Sequence, residues 1–376
     1  MLEISNNWLL VLVVILGLSA LVQILYYLVV FSRLAFYKDK PTPQNAQLPP
    51  VSVIIAARNE YKNLEKNLKF FLEQDYPKFE VIVVNDCSWD DSQKLLEYYQ
   101  EQYPHLKVCQ LIEQEKYPTG KKFALTIGIK AAAYEQLFFT DADCVPAGNQ
   151  WLQLMQSQFS GSTEIVLGYS PYQKQNSLLN LFIRYESAFT AMAYFSAAIG
   201  KHAFMGVGRN LAYTKSLFFN QKGFASHQHI LSGDDDLFVN KAATANNVAI
   251  QLDPQSFIYT EPKKSFDAWQ RQKSRHVSTG KFYKSKDKLF LGGYYASLFL
   301  FFALFIFTLF TSFDYRIILG IFALRFLVQT VVLYGVYKRL KTMSLIWFTP
   351  LLDILFLFYI YVFGSIGLVR KHNKNW

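Results

Sequence analysis

The sequence predicts an α/β domain held between membrane-spanning segments, one before it and about three after it. Three observations predict this. Near-continuous apolar runs of strand length alternate with stretches of helical periodicity through the first part of the middle region, the pattern of a parallel sheet covered on both faces. Four long apolar runs, almost free of charge, lie outside that region, each about the length a bilayer demands. Acidic residues directly follow three of the strand-like runs, and ligands of such sheets bind beyond the carboxyl ends of the strands.

The first long apolar run is Trp8 to Phe31, with neither a basic stretch before it nor a small-residue cleavage pattern after it. It reads as an uncleaved anchor, residues 1–32. Pro41, Pro43, Pro49 and Pro50 mark residues 33–50 as a stiff linker. The other runs are Leu289–Thr311, Ile317–Tyr337 and Leu345–Val369, within a membrane region of residues 289–376. Arg33, Lys38 and Lys40 follow the first span, whereas Glu3 is the sole charged side chain before it. This places the amino terminus outside and residues 51–288 in the cytoplasm. Lys338, Arg339 and Lys341 then fall inside; Arg370 and Lys371 would fall outside, unless a carboxyl-terminal segment lies in the interface.

Composition narrows the function classes. Apolar residues make up 52%, with 34 Phe and 24 Tyr, and the net charge is +10. Nine Lys or Arg stand against two acids between Lys263 and Lys288, just before a span. That suits an anionic membrane surface or a phosphate-bearing ligand, and nucleic acid is a poor partner for an anchored chain. Cys87, Cys109 and Cys144 show no paired spacing, which points to a reducing compartment without disulfides. Arg325 and Asp353 fall at bilayer depth, where they read as a structural pair or, in a transporter, as part of a pathway.

Within the middle region the expected strands are 51–57, 80–84, 108–112 and 136–140. The expected helices between them carry Leu64, Leu68, Phe71 and Leu72, then Leu95, Leu96 and Tyr99, then residues 120–133. The strand ends deliver Arg58 and Glu60, then Asp86, then Asp141 and Asp143. In an extended backbone residues i and i+2 point the same way, so Asp141 and Asp143 project together. Two such carboxylates repel unless a cation sits between them, and a divalent ion with oxygen ligands is the natural candidate. Gly120-Lys121-Lys122 opens a helix, where backbone N–H groups and a lysine suit a diphosphate. Residues 177–204 form a helix with a broad apolar stripe that suits either a core or the headgroup layer. Gly206-Val207-Gly208-Arg209-Asn210 is a glycine-bearing loop before a further strand, 211–213. Asp234-Asp235-Asp236 suits a helix amino terminus, where a carboxylate near a bound sugar would serve as general base.

The ordered set SVIIAARNE, Asp86 in VVNDCSWDDS, Asp141-Ala142-Asp143, Gly233-Asp234-Asp235 and Gln272-x-x-Arg275 resembles the membrane-bound glycosyltransferases of family 2. These include cellulose, hyaluronan and poly-N-acetylglucosamine synthases and ceramide glucosyltransferase. The resemblance covers the whole chain and implies a GT-A nucleotide-sugar-binding domain. By it, Ala57, Glu60 and Asp86 hold the base and ribose of a UDP- or GDP-sugar. Asp141 and Asp143 hold the diphosphate, with Asp143 the direct ligand of Mg²⁺ or Mn²⁺. Lys121 belongs to the same donor site, Gln272 and Arg275 close over the diphosphate, and Asp235 takes the proton from the acceptor hydroxyl, with Asp236 the alternative. The chemistry implied is a single inverting displacement onto a lipid or saccharide acceptor at the cytosolic face of the inner (plasma) membrane. His276 stands where the family usually has tryptophan. That favours a small lipid or oligosaccharide acceptor over a growing polymer. The rivals are a processive synthase that exports its polymer and a catalytically silent membrane scaffold.

Overall fold

The computed structural model describes residues 3–39, 48–113 and 120–369. The linker prolines Pro41 and Pro43, and the tail Arg370 and Lys371, lie outside the described residues. The chain enters through α1 (Glu3–Leu25), a π-helical stretch (Tyr26–Phe31) and α2 (Ser32–Ala35). Strand and helix then alternate: β1 (Val51–Ala57), α3 (Tyr61–Leu72), β2 (Phe79–Asp86), α4 (Ser92–Gln102), β3 (Leu106–Leu111), α5 (Lys121–Ala131) and β4 (Gln136–Asp141). These four strands run parallel in the order β3-β2-β1-β4. β1 is buried along its whole length, as its unbroken apolar sequence requires of a strand with both faces covered. The α/β class is as the sequence predicts.

Beyond β4 the chain adds shorter pieces: β5 (Cys144–Pro146), α6 (Trp151–Gln156), β6 (Ile165–Leu167), α7 (Leu178–Ile199), β7 (Leu211–Thr214), α8 (Lys215–Asn220), α9 (Asp236–Ala242), β8 (Val248–Ile250) and β9 (Ile258–Thr260). β7 and β6 extend the sheet antiparallel to their neighbours, β8 closes its edge, and β5 pairs with β9 in a separate ribbon. β5, β6, β8 and β9 have three residues each, too short for a period to register, and sequence reading does not find them. The domain ends on α10 (Phe266–Val277).

The membrane region follows as α11 (Ser285–Leu309), α12 (Tyr315–Arg339), a 3-10 stretch (Met343–Phe348) and α13 (Thr349–Val369). Among the described residues, four helical segments are long and apolar enough to cross a membrane, one amino-terminal and three carboxyl-terminal. Their ends differ from the apolar runs. α11 starts at Ser285, before Leu289, because helix geometry continues through the charged Lys286-Asp287-Lys288 turn. The last run opens as 3-10 before α13 begins at Thr349.

α7 decides how the domain meets the bundle. Its apolar stripe is core: nearly every residue from Asn180 to Ala198 is buried. Phe189 packs on Phe31 of the π-helical stretch (ring centroids 6.1 Å apart), Tyr294 of α11 (5.2 Å) and Phe356 of α13 (4.7 Å). One apolar cluster therefore runs from the sheet face at Ile54 and Phe139, through Phe195 and Phe189, into Leu298 and Phe356. α13 also leans on the domain, with Tyr359 5.3 Å from Trp269 of α10 and 5.7 Å from Phe182 of α7. The sheet and the bundle share a core.

Candidate donor site at the carboxyl ends of the parallel strands

Because β2, β1 and β4 are parallel neighbours, their carboxyl ends place Asp86, Arg58 with Glu60, and Asp141 along one edge. Asp86 is fully buried at the end of β2, and its Oδ2 accepts from the Gly120 amide (3.2 Å) with Arg58 Nη1 at 4.0 Å. Its Oδ1 is buried without a hydrogen-bond partner. Ala57 ends β1 fully buried. Glu60 accepts from Asn63 (2.5 Å). Burial, followed by the Asp143 and Asp141 charges, pushes its carboxyl above the usual range.

The turn after β4 gathers donor atoms of Asp141, Asp143 and Cys144 within 4.8 Å of one another. Burial and the Asp141 charge push the Asp143 carboxyl up. Two hard carboxylate oxygens suit Mg²⁺ or Mn²⁺. Burial, and then the Asp143 charge, pushes the buried Cys144 thiol well up. The residues fit the expected ion.

Lys121 is the departure from the expected arrangement. Its ammonium meets Asp141 Oδ1 at 2.8 Å and Asp234 Oδ2 at 3.1 Å, so in this state it binds protein carboxylates. The reason is charge density. Burial opposes the ammonium, but Asp141, Asp234 and Asp235 outweigh that and push its pKa up. In turn Lys121 overrides the burial of Asp141 and holds that carboxyl below its usual range. Lys122 points the other way, donating to the carbonyls of His227 (2.7 Å) and Ile230. It thereby holds the loop that leads to Asp234.

Lys121, Asp141, Gly208, Asp234 and Asp235 line one small cavity. Gly233 adopts φ +96°, a backbone region only glycine enters cheaply, and turns the chain so that Asp235 caps α9. Asp235 accepts from the Gly208 amide (2.7 Å) and the Asp236 amide (2.8 Å). Burial and then Asp234 push its carboxyl up. A Cβ at Gly208 would stand 3.3 Å from Asp235 Cβ, so glycine permits this approach. Asp236 is buried, taking hydrogen bonds from Thr279, from Tyr283 (2.8 Å) and from the Leu237 amide (2.8 Å). Of the two acids, Asp235 is the one that lines the cavity.

α10 completes the wall. Its Gln272 has a buried Oε1 with no partner, and Arg275 has no side-chain hydrogen bond or ion pair among the described residues. His276 is held neutral by burial and by Lys273, Arg275 and Arg209. Lys273, from the same basic run, instead pairs with Glu186 of α7. Sequence reading assigned no role to Asp234, Cys144 or Arg209. The glycines of the 206–210 loop were the one signal for the last.

Residues 52–219 match the sequence pattern of Glycosyl transferase family 2. That stretch runs from β1 into α8 and holds all four parallel strands. It is 33% identical over 205 residues to glycosyltransferase AglE of Haloferax volcanii, covering 53% of this chain and 62% of that protein. It is 28% identical over 143 residues to a poly-beta-1,6-N-acetyl-D-glucosamine synthase of Staphylococcus epidermidis, covering 37% of this chain and 32% of that one. The chain thus spans less than two thirds of either relative. In structure it resembles mannosyltransferase PcManGT of Pyrobaculum calidifontis, solved with GDP-Man and Mn²⁺, at TM-score 0.56 and 18% identity, covering 93% of this chain and 99% of that one. The likeness is one of fold, and the α/β domain has the expected GT-A architecture.

Proposed function

We propose that the protein is an inverting glycosyltransferase that moves a sugar from a UDP- or GDP-linked donor to a lipid or saccharide acceptor at the cytosolic face of the inner membrane. One observation carries the reading. Asp141, Asp143, Lys121 and Asp235 converge at the carboxyl ends of the parallel strands, in a domain whose core continues into the membrane bundle. PcManGT, of the same fold, is solved with a nucleotide sugar and Mn²⁺, which favours the same donor class here.

In this reading Ala57, Glu60 and Asp86 receive the nucleoside, and Asp141 and Asp143 hold Mg²⁺ or Mn²⁺, with Asp143 the direct ligand. Bound there, the ion supplies positive charge to a diphosphate leaving group. Gln272 and Arg275 close on that diphosphate from α10, where the Arg275 guanidinium has no protein acceptor among the described residues and the Gln272 amide N–H donates. Asp235, with its raised pKa, takes the proton of the acceptor hydroxyl as the oxygen attacks the anomeric carbon from the face opposite the leaving group. The continuous core between domain and bundle favours an acceptor delivered from the membrane surface.

Purified protein in lipid nanodiscs, with Mn²⁺ or Mg²⁺ and a panel of nucleotide sugars, should release nucleoside diphosphate from one donor. Asp235→Asn should lower that rate about 10²–10⁴-fold while leaving nucleoside diphosphate binding intact. Full activity in Asp235→Asn rules it out as the base. Absence of both release and metal-dependent nucleotide binding would sink the enzyme reading in favour of a scaffold.

A further inference from the structure

Arg209 stands in the loop between α7 and β7, and its guanidinium is fixed at two points. Its Nε donates to Ser170 Oγ at 2.9 Å, and its plane lies over the Tyr172 ring, 5.0 Å from the centroid. Ser170 and Tyr172 are themselves buried. Among the described residues no carboxylate lies within ion-pair distance of Arg209, and the Nε bond is its one side-chain hydrogen bond. The two terminal nitrogens, a rigid fork matched to phosphate oxygens, therefore have no protein acceptor.

The place of Arg209 follows from the elements it touches. Tyr172, over which the guanidinium lies, is bridged to Thr260, and Thr260 pairs with Cys144, the residue after Asp143. Next to Arg209 in the chain, the Gly208 amide holds Asp235. Arg209 thus stands by the turn that carries the carboxylate pair and beside the proposed base, and its charge acts on Asp141 and Asp143. A half-buried guanidinium without an anion is costly, and a pre-oriented one at this place is built for an anion that arrives.

We infer that Arg209 binds the diphosphate of the nucleotide donor, opposite Arg275, as a positioning contact on the leaving group that the recurrent motifs do not include. This rests on the donor reading above. Ser170 and Tyr172 are the parts that aim it.

The test is calorimetric binding of UDP and GDP, each with Mn²⁺, to the full chain in nanodiscs, with uridine and guanosine as phosphate-free controls. For whichever diphosphate the wild type takes, Arg209→Gln should weaken binding about tenfold or more, as expected for loss of a charged hydrogen bond. Arg209→Lys should fall between, since it keeps the charge and loses the fork. Ser170→Ala should give a smaller loss of the same sign, and it carries the test alongside the lysine variant where Arg209→Gln does not fold. The matching nucleoside should bind all variants equally. Diphosphate affinity unchanged across the series would overturn the inference and leave the donor reading intact. So would an equal loss for nucleoside and diphosphate, which marks a structural residue. A wild type that binds neither diphosphate overturns the donor reading itself.

Discussion

Two clusters of charge, one buried in the membrane bundle and one partly exposed at the sheet edge, differ in how far the protein matches their charges itself. In the bundle, Asp353 of α13 accepts from Arg325 (3.2 Å) and Gln329 (2.6 Å) of α12 and from Tyr185 of α7. Arg325 reaches on to Gln23 of α1 (3.3 Å), and Gln23 to the Tyr294 carbonyl (3.0 Å) and Ser297 (2.7 Å) of α11. Every helix of the bundle is tied in, together with the helix that carries the domain. At the sheet edge, one ammonium, Lys121, is shared by Asp141 and Asp234, while Asp143 keeps a raised pKa, the terminal nitrogens of Arg209 and Arg275 have no acceptor among the described residues, and Gln272 Oε1 has no donor. A network whose charges pair within the protein, as Arg325 does with Asp353 although its Nε lacks a hydrogen-bond partner, holds a structure together. One left incomplete, with both signs of charge present and unmatched, is arranged for something that is not protein.

The sharpest way to break the contrast is to remove one partner from each cluster. Asp353→Ala leaves Arg325 uncompensated in the bundle and should cost about 3–5 kcal/mol, read as a lowered Tm in nanodiscs. An unchanged Tm would mean that the network is not structural. Lys121→Met should cost less, about 1 kcal/mol, because the pair is partly exposed. Here the informative readout is the Mn²⁺ response, which should raise Tm more in the variant than in the wild type, since Mn²⁺ no longer displaces an ammonium from Asp141. Equal shifts would show that lysine and ion do not share that carboxylate.

A pH-dependent effect concerns Asp236. Burial and then Asp235 push its carboxyl from 3.8 to about 7. Between those values the folded chain keeps a proton that the unfolded chain gives up, so this group's contribution to stability falls as pH rises through that window. Asp236→Asn should flatten the fall of Tm between pH 5 and 7, and an unaltered slope would reject the assignment.

Much of this was legible because the signals are local. Val51–Ala57 is apolar on both faces and had to be an inner parallel strand, and that fixed the edge where Asp86, Asp141 and Asp143 emerge. The pairing of Arg325 with Asp353 was expected because no lone charge is stable in hydrocarbon. The ion pairs of Lys121 were not legible, for an equally physical reason. A helix start bearing Lys121 reads as an anion site, and nothing in its vicinity in sequence says that Asp234 folds back to within 3.1 Å.

By itself, the sequence determined the alternation of strand and helix, the four membrane-length segments and the order of the acidic motifs, since each is set by periodicity, length or short-range spacing. Only the tertiary structure decided which acid faces the cavity, that α7 joins the sheet core to the bundle, and that Arg209 lies over Tyr172, by the strand pair that carries Cys144. Those facts depend on contacts between residues far apart in the chain. The burial and charge that tune each group arise where those contacts close.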